Sequence, residues 1–285
     1  MRTSTAHTRS DSPLSPSTAQ PVIVVICSLA MACCFAFPSG LQQDGSQSGS
    51  EEASGSRAEA SSADDCTLVS SYQAASSSTE EARAANIKAA SEAIDGTTIA
   101  PGATFSFNDT LGDVSKNSAY KDATVLDGTN NTQGPGGGIC QVSTALYIAA
   151  LEADMQIVER HPHSVPSDYA PMGLDATLDF GTMDLVVKNT SDYPLTIQSQ
   201  ADGQTVRVSL LGHPLADDTS INVTAGIVST GTSSDSKGND QTTYSVDSHR
   251  TYYQNGIAVR TELISEDTYR ATSGSTAEAE GTNAK

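Results

Sequence analysis

Apolar residues along this chain change their spacing several times, and each change marks an element. Ala84, Ile87, Ala90, Ser91 and Ile94 recur at three- and four-residue intervals until Gly96 interrupts them, the spacing of one helix face. Ser78-Thr79-Glu80-Glu81 just ahead has the form of a capping box. A first helix is therefore predicted here, with Glu80, Arg83, Lys88 and Glu92 on a solvated outer face. A second helical pattern runs from about Cys140 to Ala153, with Val142, Leu146, Ala149 and Ala150 as its buried stripe. Elsewhere the pattern predicts strands: TFSFN at 104, TVL at 124, ATLDF at 176, LVVKN at 185, LTIQSQ at 195 and TVRVSLL at 205. Asp202-Gly203 is a hairpin turn between the last two, and Asn255-Gly256 joins TYYQ to IAVRTELI in another. Two main helices among mainly antiparallel strands indicate an α+β fold in a single domain.

The ends of the chain have a different character. VIVVICSLAMACCFAF at 22–37 is uncharged and apolar and follows a segment carrying Arg2, His7 and Arg9. Residues 1–37 are accordingly expected to be a signal peptide or signal anchor that engages the membrane. Ala30-Met31-Ala32-Cys33 loosely matches a lipoprotein processing site, so cleavage, lipidation and retention all stay open. Residues 38–65 contain almost no large apolar side chain and read as a disordered linker. Residues 213–270 read as a β-rich C-terminal extension, and 271–285 as a disordered tail. An exported domain on a tether would lie outside the membrane, within reach of a cell wall. With 34 acidic against 15 basic residues and a net charge of −19, the chain should repel polyphosphate, which excludes nucleic acid as a partner.

Charge and cysteine usage narrow the chemistry. Three of the five cysteines, Cys27, Cys33 and Cys34, fall in the export segment. Cys66 and Cys140 remain, and a disulfide between them is one reading. Their contexts differ, because Cys140 follows Gly136-Gly137-Gly138 and opens the second helix. Glycine amides and a helix N-terminus both favour a thiolate. The same loop, Gly136, Gly137 and Gly138 with Gln141, is a candidate oxyanion site. No Lys-Ser or Lys-Thr pair follows the glycines, which argues against phosphate binding. His161 and His163 are candidate bases for a Cys140 nucleophile, and Asp175 or Asp179 could orient the imidazole. Two alternating histidines supply no tetrahedral metal set, so neither metal nor cofactor is expected.

Four blocks in order carry a resemblance to a known family. APGATFSFNDTLG (100–112), GGGICQVSTALYIAAL (136–151), IVERHPHSVPSDYAPMGLDAT (157–177) and DLVVKNTSDYPLTI (184–197) resemble the VanW domain, named from a protein of vancomycin-resistance gene clusters. The likeness covers roughly residues 66–212. It implies an extracytoplasmic cell-wall protein and L,D-transpeptidase-like chemistry on peptidoglycan stem peptides, in which a cysteine carries the acyl group to an amine. Carried over by position, Cys140 is the nucleophile, His163 the first choice of base and His161 the second. Hydrolysis through the same acyl-enzyme stays open. A non-catalytic module that binds peptidoglycan or a glycopeptide is the alternative.

Overall fold

Alternating apolar residues from Leu195 to Leu210 set the first layer of the fold. In the computed structural model, which describes residues 67–272 apart from 128–129, 235–237 and 239, they form the central pair of a four-stranded antiparallel sheet. Strands β8 (Leu195–Asp202) and β9 (Thr205–Gly212) turn at Gly203, where φ is 58°. They are flanked by β1 (Thr67–Ala75) on the β9 side and β2 (Thr98–Ile99) on the β8 side. Ile197, Val206, Val208 and Leu210 are fully buried on one face. Helix α1 (Glu81–Ile94) packs against β8, and α3 (Ile139–Glu152) against β1 and β9. Burial of each large aliphatic side chain between these layers contributes about 2 kcal/mol.

The second helix departs from the expected single stripe. Every residue of α3 except Cys140 and Glu152 is buried, because protein covers all sides of it rather than one. Its three internal alanine positions, Ala145, Ala149 and Ala150, are fully buried and let the layers approach closely. The first helix also departs from expectation at its start. Glu80 occupies the N-cap position without a side-chain cap bond, since Glu80 Oε2 instead accepts from the Thr124 amide at 3.2 Å. Ser76 and Ser77 are held by the Asp168 carboxylate, and Ser78 by the Ser76 hydroxyl, so the predicted capping box does not form.

Three smaller sheets complete the architecture. Strands β3 (Thr104–Ser106), β7 (Val186–Lys188) and β6 (Gln156–Glu159) pair in that order. The strand expected over TFSFN ends at Ser106, whose hydroxyl accepts from the Asp109 amide and starts the short helix α2 (Phe107–Leu111). β4 (Asp122–Asp127) and β5 (Asn130–Pro135) form a hairpin that leads into the glycine loop. ATLDF is not a strand: it contributes only the isolated bridges His161–Thr177 and Asp179–Met183, because Asp175 and Ala176 are committed to the site described below.

The C-terminal sheet of β10 (Thr219–Ser234), β11 (Asp240–Gln254) and β12 (Ile257–Thr272) is a long antiparallel meander. Asn255 and Gly256, both at positive φ, form the turn between its last two strands. β12 runs through Ala271, which is buried against its neighbours, so the strand enters the stretch read as tail. Arg250 on β11 fastens this sheet to the end of α3, donating to the Met155 carbonyl at 3.2 Å. The stretches expected to be an export segment and a linker, and Cys66, lie outside the described residues. Among the described residues no helix is long and apolar enough to cross a membrane.

Candidate active site

The glycine loop fixes where Cys140 lies. Gly136 and Gly138 have φ of 81° and 106°, a region that β-carbon-bearing residues rarely adopt. At Gly137 the constraint is space, since a Cβ there would stand 2.5 Å from the Thr124 carbonyl oxygen. The loop thus presses on β4 and delivers Cys140 as the second residue of α3, where the helix end favours an anion. Cys140 is a free, partly buried thiol. It lines a groove of about 1050 Å³ together with His163, Thr177 and the three glycines.

The amides beside the sulfur are not the expected ones. The Gly136 N–H donates to the Lys121 carbonyl at 3.1 Å, and Gln141 points away from the thiol. Gln141 is completely buried, donating through Nε2 to the Ala74 and Gln204 carbonyls at 3.1 and 2.8 Å. It ties α3 to the main sheet rather than serving an oxyanion. The groups that face the sulfur come from His163 and from the chain at 177–178. Burial pushes the Cys140 thiol up, but the hydrogen bond and charge of His163, the Leu178 amide and the Thr177 hydroxyl outweigh it and leave the thiol below its ordinary value. Thr177 Oγ1 lies 3.8 Å from Sγ.

His163 is held by a buried carboxylate. Its Nδ1 lies 2.5 Å from Asp175 Oδ2, and its own backbone N–H donates to the same oxygen at 2.7 Å. The carboxylate is ionised, because the imidazole, Arg160 and Tyr269 overcome the burial that opposes its charge. Nδ1 must therefore carry the proton, which turns Nε2 towards Cys140 and towards the Tyr169 hydroxyl, 3.3 Å away. Burial pushes the His163 pKa down, but Asp175 and the thiolate more than compensate and raise it to about 10. Both shifts favour a thiolate beside an imidazolium.

Asp175 is itself anchored from both directions along the chain. Oδ1 accepts from Arg160 Nη2 at 3.1 Å and from the Tyr269 hydroxyl at 2.5 Å. Arg160 also donates to the Asp175 carbonyl at 2.6 Å and to Asp267 Oδ2 at 2.6 Å. Tyr269 and Asp267 belong to β12, about a hundred residues beyond the histidine. Tyr269 in turn accepts from the Gly173 amide at 2.7 Å. Tyr269→Phe deprives both Asp175 and Gly173 of a buried partner. A loss of about 1–3 kcal/mol in stability is expected, measured as a lower urea midpoint at unchanged slope.

Of the residues singled out from the sequence, the structure brings together Cys140, His163 and Asp175. His161 turns outward to Glu159 Oε1 at 3.0 Å, and Asp179 bonds to Thr182 at the groove's edge. Arg83, expected on a solvated face, lies in the groove instead. Tyr169, Arg160 and Thr177 fall within the block at 157–177, yet nothing in their spacing marks a role. Tyr269 and Asp267 carry no local signal at all. Among the described residues, no group of three or more His, Cys, Asp or Glu side chains is placed to hold a metal ion.

Comparison with known proteins places this site in a family context. Residues 82–211 match the family described as VanW like protein. The chain is 36% identical over 133 residues to the uncharacterized protein YoaR of Bacillus subtilis (strain 168), a match covering 47% of this chain and 44% of that protein. It is 30% identical over 158 residues to the vancomycin B-type resistance protein VanW of Enterococcus faecalis (strain ATCC 700802 / V583), covering 54% of this chain and 56% of that protein. The chain therefore matches about half the length of each of these relatives. No solved structure matches it.

Proposed function

Because residues 82–211 of this chain belong to the VanW-like family, we propose that the protein works in the bacterial cell envelope as a cysteine acyltransferase on peptidoglycan stem peptides. The observation that carries this reading is the Cys140 thiol facing a His163 ring fixed by Asp175. The printed name of the Enterococcus relative, a vancomycin resistance protein, supports the cell-wall setting. Export and membrane attachment through residues 22–37 belong to the same proposal.

The reaction follows from the protonation states. The Cys140 thiolate attacks a stem-peptide carbonyl, and the carbonyl oxygen takes up the negative charge. The Leu178 amide and Thr177 hydroxyl, which already face the sulfur, are the donors nearest to that oxyanion. His163 Nε2 passes its proton to the departing amine, leaving the acyl group on Sγ and a neutral imidazole. An acceptor amine then attacks the thioester, His163 takes the proton from that amine, and the thiolate leaves with the imidazolium restored. Water in place of the amine would give hydrolysis. Asp175 keeps the ring in one tautomer throughout and takes no proton.

The test uses disaccharide-tetrapeptides incubated with the purified protein, with cross-linked dimers and trimmed monomers counted by mass spectrometry. Cys140→Ala should lower product formation by on the order of 10⁴-fold or more. Equal products from both proteins would remove the enzyme reading.

A further inference from the structure

The groove holds a guanidinium whose Nε–H is left without a hydrogen-bond partner. Arg83 projects from α1 across the glycine loop, so close that a Cβ at Gly138 would stand 2.8 Å from Arg83 Cγ. One guanidinium nitrogen, Nη2, donates to the Gln141 side-chain oxygen at 3.2 Å, a neutral partner. Arg83 Nε is buried and has no hydrogen-bond partner, and the Ser167 hydroxyl is in the same condition. Among the described residues these are the two buried side-chain polar atoms without a partner, and both residues line the groove that holds Cys140 and His163.

Orphaned buried donors cost about 1–3 kcal/mol each, and their coincidence in one groove calls for an external acceptor. Asp168 lies near enough for the Arg83 charge to lower its pKa, but it makes no hydrogen bond to the guanidinium. Asp168 is taken up by the Ser77 amide at 2.7 Å and by the Ser76 and Ser77 hydroxyls, and Arg83 makes no ion pair among the described residues. Arg83 is also the only lysine or arginine among the residues lining the groove. The site lies close to the reacting atoms, since the Arg83 guanidinium sits 5.8 Å from the centre of the Tyr169 ring, whose hydroxyl meets His163.

We propose that Arg83 and Ser167 form a carboxylate-binding subsite beside the thiol, so that the acyl donor taken here carries a free carboxylate near the carbonyl that Cys140 attacks. The donor assignment rests on the acyl-transfer reading, whereas the subsite itself does not. A guanidinium with an unpaired Nε–H suits a carboxylate, and the Ser167 hydroxyl lining the same groove would supply a further donor. A primary amide of the same shape lacks the charge and should bind less well.

The experiment separates binding from chemistry. In Cys140→Ala protein labelled with ¹⁵N, the Arg83 Nε–H signal is followed by NMR during titration with N-acetylalanine and, separately, with its amide. The carboxylate should move that signal with a Kd at least about tenfold lower than the amide's. Arg83→Gln and Ser167→Ala, each made in Cys140→Ala protein, should bring carboxylate affinity down towards the amide's. Equal affinities, no binding, or carboxylate affinity indifferent to both substitutions would overturn the subsite. The Nε signal reports from protein in which Arg83 is intact, so a poorly folded variant does not decide the outcome. Carboxylate binding without any acyl adduct on Cys140 in the unsubstituted protein would sink the transfer reading alone. An adduct formed equally fast from carboxylate and amide donors would sink the subsite alone.

Discussion

Replacing Asp175 with alanine should cost about 3–5 kcal/mol of folding stability, the range for removing one partner from a buried charge cluster. The carboxylate is 1% exposed and accepts from His163 twice, from Arg160 and from Tyr269. Its loss leaves the Arg160 guanidinium with Asp267 as its remaining ion-pair partner and strands the Tyr269 hydroxyl. A urea titration reads the loss directly. Asp175→Asn is the sharper test of chemistry because it keeps the volume and most of the bonds. Its amide can turn a donor towards Nδ1, favouring the tautomer with the proton on Nε2, where the thiol's proton must go. Activity should then fall by roughly 10³–10⁴-fold, the scale of a wrong-tautomer defect, with stability reduced far less than in the alanine variant. An asparagine variant that is equally active would remove Asp175 from the mechanism.

His163→Ala should take most of the thiolate with it. Burial alone pushes the Cys140 thiol up, and His163 contributes the largest opposing effects. Without the imidazole, the inflection in the rate of iodoacetamide alkylation should move from below about 8.5 to above it, and the rate at pH 7 should drop by about tenfold or more. An unchanged profile would mean that the histidine does not control the sulfur. The stability of the unsubstituted protein has its own signature. The imidazolium, raised to about 10, contributes stability that is full below about 6.5 and is lost as pH climbs through 10. The thiol, depressed by folding, contributes stability that is full above about 8.5 and is lost as pH falls through its folded value. Where both groups are charged, the folded pair holds one proton more on nitrogen and one fewer on sulfur than the unfolded chain. Their slopes therefore oppose each other near neutrality, and the pair's contribution declines only at the alkaline and acid ends.

Local chemistry was the legible part of this sequence. The Asp202-Gly203 and Asn255-Gly256 turns, the alternation of β8 and β9 and the extent of α3 all follow from residues within a few positions of one another. Strand β1 was not apparent, because TLVSSYQAA reads as polar until Ser70 is found bonded to the Ala149 carbonyl and Ser71 to Ser209. Helix α2 was hidden behind the alternation of Phe105 and Phe107, which a serine cap at Ser106 overrides. Within the site, the glycine turn marked Cys140 and the nearby histidines marked a base, but their spacing left His161 and His163 open. Their difference lies in Asp175 and in a tyrosine 94 residues beyond that carboxylate. Contacts at such separations are made by packing and leave no periodic trace. In the glycine loop, the Gly136 N–H is taken by the Lys121 carbonyl, while the Gly137 carbonyl accepts from Asn86.

The reach of β12 into the site has a consequence for how such proteins can be divided and recombined. The recognisable segment at 82–211 omits Tyr269 and Asp267, and it also omits β1, without which β9 would become a bare edge. A gene fragment trimmed to those limits would encode Cys140 and His163 while discarding two of the groups that hold Asp175 and Arg160 in place. A chain carrying a different module in place of the C-terminal meander would need substitute partners for that carboxylate and that arginine.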